Sequence, residues 1–252
     1  MQDIRKAIEK YLSKMQESHP GLKAWEGFRC VLFDMDGVLY DSMPHHAIAW
    51  QQSMAEFGIT MTVADAYATE GARGIDTIRH FFFLQKHEEI TLEQAQKMYD
   101  EKTRIFHEMG EAPIFPGVKP LMKAIQTSGM SVNVVTGSGQ RPLIDKLLTD
   151  FSDYLVREHI TSAYDVNRGK PYPDPYLQGM RKAGYADPRQ AIVVENAPLG
   201  VRAGKAAEMF TVAINSGSLP DKALTDEGAD VLYPSIETFL ADWPEVVKAA
   251  GK

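Results

Sequence analysis

Apolar positions along the chain change period repeatedly, and each change marks an element. Ile4, Ile8, Leu12 and Met15 recur at helical spacing, so an amphipathic helix opens the chain until His19, Pro20 and Gly21 end it. It is expected to pack on the core or on a second subunit. Residues 29–33 then read as a short strand, because Cys30, Val31, Leu32 and Phe33 form the near-continuous apolar run that a parallel sheet buries on both faces. Residues 44–110 return to helical spacing without a convincing strand, and the run Phe81, Phe82, Phe83 reads there as helical core. Beyond Pro113 helices and strands alternate: FPGVKPLMKAIQTSG (helix), SVNVVTG (strand), QRPLIDKLLTD (helix), a weaker strand over 159–163, DPYLQGMRKAG (helix), AIVVEN (strand), LGVRAGKAAEM (helix) and FTVAIN (strand).

That alternation predicts an α/β fold, a doubly wound parallel sheet of Rossmann-like type with an inserted all-helical domain. The expected organisation is an N-terminal helical extension over 1–27, a core built from 28–43 and 114–252, and a helical cap over 44–113 lying above the carboxyl ends of the strands.

Composition narrows the partners. The 252 residues, 44% hydrophobic and 24% charged, suffice for a sizeable core. A net charge of -7 without a long basic run argues against nucleic acid. The single cysteine, Cys30, excludes a disulfide framework and a cysteine-ligated metal. No apolar run at the N-terminus is long enough for a signal peptide or a membrane span. The expectation is a cytoplasmic protein, monomer or small homo-oligomer.

Chemistry gathers where strands end. FDMDG carries Asp34 and Asp36 off the first strand into a turn at Gly37, and in an open parallel sheet ligands bind beyond the carboxyl ends. An acidic turn is the plain alternative; an EF-hand is excluded because its glycine falls sixth in the loop. VVTGSG ends a strand with Thr136, Gly137 and Ser138, suited to a phosphate oxygen, or with a helix cap. RGKPYPDPY sets Lys170 in a proline-braced loop, where it either neutralises an anion or is solvated. AIVVEN delivers Glu195 and Asn196, oxygen ligands for a hard cation or merely a turn.

In this order, with a helical insert after the first, FDMDGVLYDS, VVTGS, GKPYPDPY and VVENAPLGVRAG resemble the four motifs of the haloacid dehalogenase superfamily. The likeness is to its helical-cap, β-phosphoglucomutase-like members, over about residues 28–230. The resemblance implies Asp34 as nucleophile of an aspartyl-phosphate, Asp36 as general acid and base, and Thr136 and Lys170 as holders of the phosphoryl group, with Met35, Gly137 and Ser138 lining it. It implies Mg²⁺ held by Asp34, the Asp36 carbonyl, Glu195 and Asn196. Asn196 departs from the aspartate that many relatives carry there. Asp36 itself favours phosphoryl transfer, since dehalogenase members lack an acid at that position.

In the cap, ATEGARG sets Glu70 before Gly71, where β-phosphoglucomutases tend to carry basic residues. That acid resembles the inorganic pyrophosphatase-like branch, which implies Glu70 as a metal ligand and pyrophosphate or another small phosphorylated compound as substrate. A mutase is the alternative. His46, Arg73 and Lys102 are its candidate phosphate contacts, with His46 equally an interfacial histidine and Trp50 read as packing. A non-catalytic binding protein built on a decayed enzyme is a third reading, whose mark would be loss of Asp34, Asp36 or Lys170, all of which are present.

Overall fold

The computed structural model describes residues 3–251; Met1, Gln2 and Lys252 of the expected extension and carboxyl end lie outside the described residues. Six parallel strands form one sheet: β1 (Cys30–Phe33), β2 (Ser131–Val135), β3 (Ile160–Thr161), β4 (Ala191–Glu195), β5 (Phe210–Ile214) and β6 (Val231–Tyr233), in the order β3-β2-β1-β4-β5-β6. The chain builds outward from β1 to β2 and β3, then returns to place β4 on the other side. That reversal is the switch point where open α/β sheets bind ligands.

Side chains alternate across the sheet. Val31 and Phe33 of β1, with Ile192 and Val194 of β4, enter the larger core, while Cys30 and Leu32, with Ala191 and Val193, enter the smaller one. The first core is covered by α1 (Ile4–Ser18), α6 (Val118–Thr127), α7 (Arg141–Asp150) and α11 (Ile236–Ala249), the second by α8 (Asp174–Lys182) and α9 (Pro198–Ala206). By the same period Glu195, the last residue of β4, and Asp34, one step beyond β1, emerge on the face of α8 and α9.

Between β1 and α6 lie α2 (Met43–Glu56), α3 (Val63–Ala68), α4 (Gly74–Lys86) and α5 (Leu92–Glu108), with a hydrophobic cluster of their own that includes Trp50, Met54, Ile78, Phe81 and Met98. Thr62 and Thr91 start α3 and α5 with capping boxes, each hydroxyl accepting from the backbone three residues on.

Three expectations are corrected, and one left open is decided. The weak strand over 159–163 is two residues long, because turns on both sides consume its backbone. The sheet continues past the fifth strand into β6, joined by α10 (Asp221–Thr225) and closed by α11; β6 is only three residues long, too short for a period to register. Phe83 is 52% exposed while Phe81 is buried, since neighbours on a helix point about 100° apart and three in a row cannot share one face. The first helix packs on this chain's own core. Ile4, Ile8, Tyr11 and Met15 are buried there, the Tyr11 hydroxyl donates to the Glu208 carbonyl at 2.8 Å, and Arg5 pairs with Glu245 of α11 at 2.7 Å. Among the described residues no helix is long and apolar enough to cross a membrane.

Ile8 is 1% exposed. Ile8→Ala is expected to lower unfolding free energy by about 2–4 kcal/mol in chemical denaturation, as for a core site; a change under about 0.5 kcal/mol would mean α1 is dispensable to the core.

Candidate active site

Asp34 continues β1, its N–H donating to the Val194 carbonyl at 2.9 Å, which seats it beside Glu195 at the tip of β4. Lys170 enters between them. Its ammonium is 2.5 Å from Asp34 Oδ1, 2.6 Å from Glu195 Oε1 and 3.2 Å from the Val135 carbonyl at the tip of β2, so one cation ties three strand ends. All three side chains are buried. Burial alone would discharge Lys170, but Asp34 and Glu195 outweigh it and hold its pKa above the ordinary value, so it is an ammonium at neutral pH. Burial pushes the Asp34 carboxyl well up; Lys170 opposes this, and Glu195 and Asp36 reinforce it.

Read from the sequence as a cation ligand, Glu195 has both oxygens engaged by protein donors. Oε1 accepts from Lys170 and from the Tyr176 hydroxyl of α8 at 2.7 Å, and Oε2 from the N–H groups of Asn196 and Ala197 at 2.9 and 3.1 Å. It stands at the positive end of α9, and a Cβ at Gly200 would come within 1.7 Å of Oε1. In this structure Glu195 anchors Lys170.

Asp36 is gripped from the other side. Its Oδ1 accepts from the Ser42 hydroxyl at 2.6 Å and stands 3.1 Å from His46 Nε2, off the ideal hydrogen-bond line. Lys102 of α5 donates to His46 Nδ1 at 2.7 Å, so the ring carries its proton on Nε2, facing Asp36. Burial opposes ionisation of Asp36, yet His46, Ser42 and Lys102 outweigh it and keep its pKa below the usual carboxylate range. Lys102 lies 5.1 Å over the Trp50 ring and 5.0 Å over Phe106, and burial lowers its pKa to about 8, with Glu70 and then Asp36 resisting.

Asp36, His46, Glu70, Lys102, Gly137 and Ser138 line one pocket. Thr136, at the end of β2, holds that turn by accepting from Ser138 N–H at 3.0 Å. Met35 is buried in the larger core beneath the loop. Arg73 is not brought to the aspartates: its guanidinium pairs with Asp76 and donates to the Asn167 carbonyl. Ser42, Tyr176 and Gln140 join the site without having been singled out. The first two stand inside the quoted motifs, FDMDGVLYDS and GKPYPDPY, but nothing local shows which carboxylate each meets.

Mg²⁺ fits the donors present. Asn196 Oδ1 is buried without a hydrogen-bond partner, and a Cβ at Gly37 would meet the Asn196 amide at 2.0 Å, so the turn is shaped around that side chain. Three buried carboxylates, Asp34, Asp36 and Glu195, face two buried lysines, and with the Asp34 carboxyl pushed up by burial beside the other acids, a bound cation would favour its ionised form. Among the described residues no three His, Cys, Asp or Glu side chains form a ready cage. Mg²⁺ commonly takes one or two carboxylates and completes its shell with substrate oxygens, so no cage is required.

The geometry meets its relatives here. Residues 28–208 match the haloacid dehalogenase-like hydrolase family. Hexitol phosphatase A of Escherichia coli (strain K12) is 32% identical over 185 residues, 73% of this chain and 82% of that protein. Glycerol-1-phosphate phosphohydrolase 1 of Saccharomyces cerevisiae is 31% identical over 221 residues, 82% of each. A Bacteroides vulgatus structure with a provisional beta-phosphoglucomutase designation superposes at a TM-score of 0.89, with 38% identity over 98% of this chain and 97% of that one.

The lowered pKa of Lys102, about 8, predicts a pH effect on affinity. Below pH 8 Lys102 is cationic and, if it contacts the substrate, would help hold an anion; above it the charge is lost, so KM would rise with pH while kcat changes less. Steady-state profiles from pH 6.5 to 9.5 should show this limb, and Lys102→Met should flatten it. A limb that persists unchanged in the variant would assign it to another group.

Proposed function

The chain belongs to the haloacid dehalogenase-like hydrolase family, and on that premise we propose that it hydrolyses a small phosphate substrate, inorganic pyrophosphate foremost, through a phosphorylated Asp34. It is a phosphatase or phosphotransferase of that family acting on small phosphate substrates.

One observation carries the choice of substrate. The pocket beside Asp36 has Glu70 on its wall, and among its described lining residues Lys102 is the single lysine or arginine. A sugar bisphosphate needs a second cationic grip. A compact anion that brings its own counter-cation does not.

Asp34, the Asp36 carbonyl, Asn196 and Glu70 would hold Mg²⁺, whose charge, when bound, offsets repulsion between the nucleophile and the phosphate oxygens. The chain's own residues do the rest. Asp34 attacks phosphorus as the bond to the bridging oxygen breaks, with Lys170 and Thr136 holding the phosphoryl oxygens. Asp36 gives its proton to the departing oxygen. Its resting carboxyl is held ionised by His46 and Ser42, and the dense negative charge of an arriving phosphate raises its proton affinity toward that of an acid. In the second step Asp36 takes a proton from the water that attacks the aspartyl-phosphate, which releases phosphate and restores Asp34.

The mutase is the second reading, favoured by the Lys102, His46, Asp36 chain and by the likeness to the Bacteroides vulgatus protein.

Asp34→Asn is expected to lower turnover at least about a thousandfold with folding unchanged; undiminished turnover would remove Asp34 as nucleophile. The choice of substrate is tested by steady-state kinetics with Mg²⁺ on pyrophosphate and on β-glucose 1-phosphate with a trace of the bisphosphate. Pyrophosphate should lead in kcat/KM by about a hundredfold or more. Efficient formation of glucose 6-phosphate would replace the hydrolase reading by the mutase one.

A further inference from the structure

The helical insert touches the core through three places where the core presents a glycine. A Cβ at Gly137 would come within 2.8 Å of the Gly71 carbonyl, one at Gly217 within 2.5 Å of the Tyr67 ring, and one at Gly169 within 2.8 Å of Arg73 Cγ. Gly71 in turn lies over Lys170, where a Cβ would be 3.1 Å from the lysine Cδ. Two of these contacts are passive. The third carries a polar tie.

Arg73 is the residue before α4, and its side chain leaves the insert to cross the seam. Its Nη1 donates to the main-chain carbonyl of Asn167 at 3.0 Å, in the loop that delivers Lys170. Its Nε and Nη2 are taken by the two oxygens of Asp76, at 2.8 and 3.3 Å, on the first turn of α4. The stem rests on buried Gly169, next to Lys170. Asp76 thus fixes the guanidinium plane, Gly169 provides the socket, and Asn167 receives a bond that joins the Glu70 loop to the loop carrying Lys170.

We propose that Arg73 is the latch of the closed state: held by Asp76 and seated on Gly169, it fastens the Glu70 loop over Lys170 and Thr136. It is a positioning residue and does not touch the substrate. A carbonyl acceptor suits this role, since it is present whether or not substrate is bound and at any pH. An exposed ion pair such as Arg73 with Asp76 adds little to global stability, so its loss should act on closure and not on folding. Gly169 has no need of a left-handed backbone; its requirement is space for Arg73, which makes Gly169→Ala a way to expel the latch without removing the arginine.

The test is hydrogen exchange on the full chain without substrate, read at residues 69–74 and 137–139, with thermal melts and steady-state kinetics beside it. Arg73→Ala, Asp76→Ala and Gly169→Ala should each speed exchange in both loops by about tenfold, the scale of one lost hydrogen bond to a charged group. Strands β1, β4 and β5 should be unchanged and Tm within about 2 °C. The Arg73→Ala, Asp76→Ala double variant should match the singles, because both remove the same bond. KM should rise more than kcat falls, as expected when the binding-competent fraction drops. Arg73→Lys should restore part of the protection through a single donor.

Unchanged exchange in Arg73→Ala would overturn the latch. So would a KM effect in Arg73→Ala that Gly169→Ala does not share, since Arg73 would then act on the substrate directly. The exchange measurement needs no substrate, so a wrong choice between pyrophosphate and a sugar phosphate leaves it intact.

Discussion

A buried ammonium between two buried carboxylates organises this protein. Lys170 binds Asp34 and Glu195 at hydrogen-bond distance and reaches the Val135 carbonyl as well. Such a cluster is poor evidence of stability, since taking the charges out of water roughly offsets their attraction. Its consequence is geometric. Once one lysine must satisfy two acids from neighbouring strands, β1, β2 and β4 must end level, and the loop carrying Lys170 must descend onto the sheet from the side of α8. Tyr176 and the start of α9 close the remaining directions around Glu195.

The two aspartates are two residues apart and live in opposite surroundings. Asp34 is pushed toward protonation by burial beside other acids, Asp36 toward ionisation by His46, Ser42 and Lys102. Carboxylates whose environments drive their pKa values apart can divide a reaction between them. Asp34, with an ammonium and a cation-accepting amide nearby, suits a nucleophile whose charge is balanced on demand. Asp36, linked through an imidazole to a second lysine, suits proton traffic. The divided labour follows from strand geometry: Asp34 still follows the pleat, and Asp36 has left it for the Gly37 turn, where φ is +82°.

The insert adds closure to this centre. Its own hydrophobic cluster lets it behave as a unit, while glycines in the core let it approach to within contact. Burial of Asp34, Asp36, Lys102 and Lys170 beneath the insert strengthens the charge interactions among them. The same closeness explains why an acid at Glu70 matters: it faces Lys102 and Asp36 across the cavity and balances the former.

Short-range pattern carried much of this in the sequence alone. Alternating strand and helix periods determined the α/β class and the helical insert, and apolar runs ending in Asp34, Thr136 and Glu195 determined which residues reach the carboxyl edge of the sheet, because a strand's direction and pleat are local properties. What each group does once there was decided by tertiary structure. Lys170 meets Asp34 across 136 positions, and Arg73 reaches Asn167 across 94. Glu195 reads from the sequence as a metal ligand, and only the fold shows Tyr176 and Lys170 on its oxygens; Arg73 reads as a substrate contact, and only the fold shows its bond to Asn167. No periodicity encodes such pairings, since they depend on how loops of fixed length cross the end of a twisted sheet. The chain therefore specifies its chemical groups locally and their partners only through the fold.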